Sequence, residues 1–60
     1  MKIYETLDNY PSQEEINDFI KIKLNEGYKQ VGVNKIMDDM ETLEGKHPVI
    51  ESITFIFEKL

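Results

Sequence analysis

Cysteine is absent from this sixty-residue chain, which removes a disulfide framework and any cysteine zinc site. Arginine is absent as well. All seven basic residues are lysine, set against twelve acids for a net charge of -5. Nucleic-acid binding leans on a basic face and on the arginine fork, so no nucleic-acid partner is expected. Anionic membrane surfaces are disfavoured for the same reason. The longest apolar run is Phe55-Ile56-Phe57, far too short to span a bilayer. Met1 to Glu5 carries no apolar leader segment, so the expected location is cytoplasmic. Alanine is missing too, while Phe, Tyr, Met, Ile, Asn and Lys make up nearly half the chain. These residues use AT-rich codons, a bias expected of a low-GC bacterium or one of its phages.

What is present reads as one small α+β domain over residues 1–60. Lys2 to Leu7 has the β-branched and aromatic alternation of a first strand, with Ile3 and Leu7 on one face and Tyr4 and Thr6 on the other. Asp8-Asn9-Tyr10-Pro11 is a turn cluster. Ser12-Gln13-Glu14-Glu15 is a capping box that opens a helix, with Ile16, Phe19, Ile20 and Leu24 on its apolar stripe and Lys23 at the rim. Gly27 suits the left-handed position just past the helix end. A second strand spans Tyr28 to Ile36, where interior Gly32 marks a bulge or a close backbone approach. Residues 37–44 carry a helix-like signal, with Asp38 and Glu41 as a capping pair and Ile36, Met40 and Leu43 near helical spacing. A short second helix is expected there, with a long hairpin loop as the alternative. Lys46-His47-Pro48 reads as a turn, and Val49 to Lys59 as the strongest strand.

A right-handed crossover from the first strand through the helix makes strands one and two run in the same direction. The third strand then lies between them, antiparallel to both. The expected fold is a two-layer, three-stranded mixed sheet of order 1-3-2 with one main helix on one face. Ile53, Phe55 and Phe57 share one face of the last strand; by simple alternation Ile50 and Ile56 lie on the other, joined by Tyr4. One helix cannot cover both faces, and a chain this short has little core to spare. A homo-oligomer, in the first instance a dimer, is therefore expected to close the second face, the alternative being that residues 37–48 fold across it.

The stretch Leu24-Asn25-Glu26-Gly27-Tyr28, followed by Val31-Gly32-Val33, resembles a pattern in small uncharacterised β-α-β-β domains of bacteria and phages. In those domains a capped helix ends in Leu-x-Glu-Gly-aromatic ahead of a valine-rich strand. The resemblance covers about half the chain, Ser12 to Val33. Those domains usually carry tryptophan where this chain has Tyr28, and their hairpin is shorter than residues 37–48 allow. The resemblance implies the fold and assigns no catalytic residue.

No constellation for catalysis stands out. Ser12 is used as a helix cap, Ser52 lies inside a strand, and the single histidine, His47, sits before a proline. Asp38, Asp39, Glu41 and Glu44 are the densest acids, but they lack the alternating spacing around glycine that a calcium loop requires. Gly27 and Gly32 do not have phosphate-loop spacing. No enzyme activity, cofactor or metal is expected. The expected function is a small regulatory module that binds another protein, such as an inhibitor of a host or defence protein. Its surface candidates are Tyr4, Tyr28, Ile50 and Ile56, with Asp38, Asp39, Glu41 and Glu44 as a charged rim. Two alternatives remain: an oligomer that sequesters a nucleotide or similar ligand through Lys29, Lys35 or His47, and an acidic mimic of nucleic acid.

Overall fold

The computed structural model describes residues 1–60. Strand β1 spans Lys2–Leu7, helix α1 Gln13–Asn25, strand β2 Tyr28–Thr42 and strand β3 Gly45–Lys59. The sheet order is β1-β3-β2. Both ladders are antiparallel, because β1 and β2 run in the same direction on opposite sides of β3 and never pair. The expected order 1-3-2 with one helix therefore stands, while "mixed" does not describe the hydrogen bonding.

The helix begins where its chemistry dictates. The Ser12 hydroxyl accepts from the Glu15 amide at 3.1 Å, and Glu14 and Glu15 place negative charge on the first turn. At the other end the Glu26 amide donates to the Ile22 carbonyl at 3.0 Å, and Gly27 turns the chain out with φ +88°. The Gly27 carbonyl then accepts from the Leu60 amide at 2.9 Å, tying the helix exit to the end of β3.

Ile16, Ile53, Phe55 and Phe57 are the buried side chains of the apolar core. Phe19 packs its ring 5.6 Å from Phe55 and 5.9 Å from Phe57, and Ile3, Leu7, Ile20, Tyr28 and Ile50 close the rim. The helical stripe differs from expectation at its last turn. Leu24 points outward at 54 % exposure, and Lys23 takes the inner position. Glu5 explains the exchange, since it faces the helix between Ile3 and Leu7. The Lys23 ammonium reaches it at 3.2 Å while its stem crosses the Phe19 and Tyr28 rings. Hydrogen bonding to Glu5, partly opposed by desolvation, holds the Lys23 ammonium above the usual lysine range.

The second helix expected at 37–44 does not form. Those residues continue β2 to Thr42, and Lys46-His47-Pro48, expected as a turn, belongs to β3. The reversal is made by Leu43 and Glu44 alone, with Gly45 following at φ +122°. That is a tight turn closed by a left-handed glycine. Thr42 staples it, its hydroxyl donating to the Gly45 carbonyl at 3.0 Å and accepting from the Glu44 amide at 3.3 Å. Nor does Asp38 cap anything helical: one carboxylate oxygen accepts from the Asp39 amide, 2.8 Å away.

The β2–β3 hairpin is longer than the body beneath it. Two strands of fifteen residues reach about 50 Å when extended, and the molecule measures 45 × 17 × 15 Å. Its radius of gyration is 13.5 Å, against about 10 Å for a compact fold of this length. β1 stops opposite Ile53, so the distal ribbon is two-stranded.

Candidate interaction surface

Two surfaces are left uncovered by the molecule's own packing: the face of the sheet opposite the helix, and the projecting ribbon. Cross-strand partners define the first. Tyr4, Ile56 and Gly32 form one row, Thr6, Thr54 and Asn34 the next, and Ile36 stands opposite Ser52 beyond them. Tyr4 is 68 % exposed and Ile36 60 %. Ile56 is half-buried because it leans over Gly32, where an added Cβ would lie 3.0 Å from its Cδ1 atom. A bulge at Val31 immediately precedes this close approach, and both readings of Gly32 therefore hold together. The middle row is polar: the Thr6 and Thr54 hydroxyls share a hydrogen bond of 2.8 Å. This face is thus an apolar pair, a polar bar and an isolated isoleucine, not the continuous greasy patch that alternation implies.

Two of the apolar candidates are elsewhere. Tyr28 lies on the helix side, its ring 6.4 Å from Phe57 and held beneath Lys23 and Lys59. The Lys59 ammonium sits 4.6 Å from the ring centre and also donates to the Glu26 carbonyl at 2.6 Å. Ile50 is also on the helix side, packed against the core. The cause is a register shift in β3: Ile36 pairs with Ser52 but Met37 pairs with Ile50, leaving Glu51 as an extra residue. One inserted residue reverses which face every later side chain takes. Alternation counted back from Phe55 therefore assigns Ile50 to the wrong side.

The ribbon is the larger surface. Every residue from Val33 to Pro48 is exposed, including Met37, Met40 and Leu43. Leu43 stands free at the tip. In the sequence Met40 and Leu43 share near-helical spacing with Ile36, which disguises the strand that exposes them. The available signal was Thr42-Leu43-Glu44-Gly45, a turn sequence between two alternating stretches. Of the acids, Asp39 and Glu41 lie on one face of the ribbon, Asp38 on the other and Glu44 in the turn. Glu41 faces Lys46 across the strands. The structure does not gather the four into one negative face, and no cluster of three potential metal ligands occurs anywhere in the chain.

Asp38 is the member with a structural partner. The Tyr10 hydroxyl donates to it at 2.8 Å, bridging from the loop that crosses the edge of β3. Tyr10 is delivered there by an unusual backbone: Asn9 and Tyr10 both have positive φ, 60° and 55°. Its amide donates to the Glu51 carbonyl at 3.0 Å, continuing the ladder one step past β1. The Tyr10 hydroxyl first, then the Asp39 amide, hold the Asp38 carboxyl below the usual carboxylate range; the same bond raises the Tyr10 pKa above an ordinary tyrosine's. The Asp38 contribution to stability is present above about pH 4 and lost as pH falls through its lower folded value. The Tyr10 contribution is present below about pH 10 and lost as pH rises through its higher one. Tyr10→Phe is expected to raise the Asp38 titration midpoint toward that of an ordinary aspartate. A carbon-detected NMR titration reads this directly, and an unmoved midpoint would mean that the hydroxyl does not hold the carboxylate.

No protein-family model, curated protein or solved structure matches this chain. No helix is long and apolar enough to cross a membrane.

Proposed function

We propose that this protein is a small non-enzymatic interaction module that self-associates and binds another protein. The observation that carries the reading is the unbroken exposure from Val33 to Pro48. More than a quarter of the chain is spent on a ribbon in which no residue is buried by its own fold. A two-stranded ribbon without a covering layer is marginal in water, and exposed Met37, Met40 and Leu43 are side chains that contact surfaces employ. Tyr4, Ile36 and Ile56 extend the contact area onto the open sheet face. Modulation of a host or defence protein is the version of this role that fits origin in a phage of a low-GC bacterium, with the cytoplasm as its place. The division of the acids between both ribbon faces weighs against mimicry of nucleic acid, which calls for one continuous negative surface.

The double variant Met40→Asp/Leu43→Asp tests the reading. Both side chains are exposed, so folding stability should change by under about 1 kcal/mol. Capture of a stoichiometric protein partner from host lysate should nevertheless weaken about tenfold or more. A partner held equally well by the variant would remove the ribbon from the contact, and a wild-type protein that captures nothing would remove the reading.

A further inference from the structure

We infer that β2 pairs with β2 of a second copy across a two-fold axis at Met37, joining two three-stranded sheets into one of six. This rests on the reading that the chain self-associates, not on the identity of any other partner.

Three free edges are available. The outer edge of β1 is six residues long. The distal edge of β3 contains Pro48, which has no amide to donate, and its inner end is occupied by the Tyr10 amide. The outer edge of β2 contains no proline and has no neighbour along its fifteen residues. An edge of that length is a template for another strand unless something blunts it.

Its charges are sorted along its length. Lys29 and Lys35 lie in the half beside the body, while Asp38, Asp39 and Glu41 lie in the distal half. Antiparallel apposition of two copies sets each half against its opposite; parallel apposition would set like against like. Between the Val31 bulge and the turn β2 carries no extra residue of its own, the Glu51 bulge lying on β3; that stretch is 32–42 and its midpoint is Met37. Full overlap therefore places Met37 against Met37 of the second copy. In that register Lys35 faces Asp39 on both sides of the axis, Val33 faces Glu41, Asn34 faces Met40, and no two like charges are opposed. Sliding the pairing by one step toward the tip would put Asp38 against Asp38. Sliding it the other way would leave Lys35 facing Met37. Within their own chain Lys35 stands opposite Ile53 and Asp39 opposite Pro48, and neither side chain has an ion-pair partner. The association also gives each unsupported ribbon the neighbouring strand that its own body does not supply.

Reversal of charge tests this register. Sedimentation velocity over a concentration series should show a wild-type dimer. K35E and D39K should each weaken it about tenfold or more, since each puts two like pairs in place of two unlike ones. The double variant K35E/D39K should restore the dimer, because the pairs are re-formed between copies with their signs exchanged. Circular dichroism should show all three variants folded, both positions being exposed. Because the chain has no cysteine, M37C adds one thiol at the axis. It should form a disulfide-linked dimer at least about tenfold faster than L43C, which this register places far from its symmetry mate. A wild-type dimer that neither reversal weakens, or equal cross-linking of the two thiol variants, would overturn β2 pairing and leave self-association through another surface. A wild-type monomer throughout the series would overturn both.

Discussion

Phe57→Ala is expected to unfold the protein at room temperature. The ring is completely buried and touches three other aromatic side chains, Phe19, Tyr28 and Phe55. Truncating a core phenylalanine to alanine costs about 3–5 kcal/mol, the lost transfer energy plus the cavity left behind. A domain below about 70 residues seldom gains more than about 3–5 kcal/mol from one apolar core, so the loss matches the whole reserve. The core cluster has only four buried side chains, and the chain has no cysteine for a disulfide and no cluster of three potential metal ligands. A thermal melt by circular dichroism should lose its cooperative transition. Phe57→Leu, which keeps most of the volume, should retain a transition at lower temperature. A cooperative melt in Phe57→Ala close to wild type would place the stabilising core elsewhere.

The second large effect lies in the helix and separates two residues that periodicity treats alike. Ile16→Ala should destabilise by about 2–5 kcal/mol, because it is the one helical side chain buried among Ile53 and the phenylalanines. Leu24→Ala should change stability by under about 0.5 kcal/mol, as a surface substitution that also improves helix propensity. Urea titration of the two variants gives the comparison. Equal losses would mean that Leu24 is packed and that the Lys23–Glu5 arrangement does not set the inner face.

That contrast marks the limit of what the helix encodes in its own residues. The capping box at Ser12 and the glycine at Gly27 bounded the helix correctly, since both act through the backbone within one turn of their own position. The residue that turns inward at the last turn was not readable in the same way. Leu24 and Lys23 are adjacent, and both lie near the edge of the stripe. Glu5, nineteen residues before Leu24, breaks the tie by offering Lys23 a carboxylate on the inner face. Nothing local to the helix encodes that preference.

The candidate contact surface divides similarly. Tyr4 and Ile56 were legible because β1 and the proximal half of β3 alternate without interruption. Ile50 departs from simple alternation because of the bulge at Glu51, and Tyr28, at a strand start with no preceding alternation to fix its face, is drawn onto the helix side by Phe57 and two lysines. The ribbon is ambiguous in the sequence because Ile36, Met40 and Leu43 fit helical spacing as well as an extended strand with a tight turn. Strand pairing decides between them, and pairing is a property of two segments together.

By itself, then, the sequence determined the element types wherever the cause is local: the capped helix, the first strand, the central strand rich in isoleucine and phenylalanine, and, through the handedness of the crossover, the order 1-3-2. Tertiary structure alone decided which way β3 faces beyond Glu51, which of Lys23 and Leu24 enters the core, and how far the hairpin runs past the body. Each of those depends on a partner distant in the chain. A hydrogen-bond ladder admits one extra residue at no visible local signal, and a charged side chain turns inward only when its counter-charge is already waiting there.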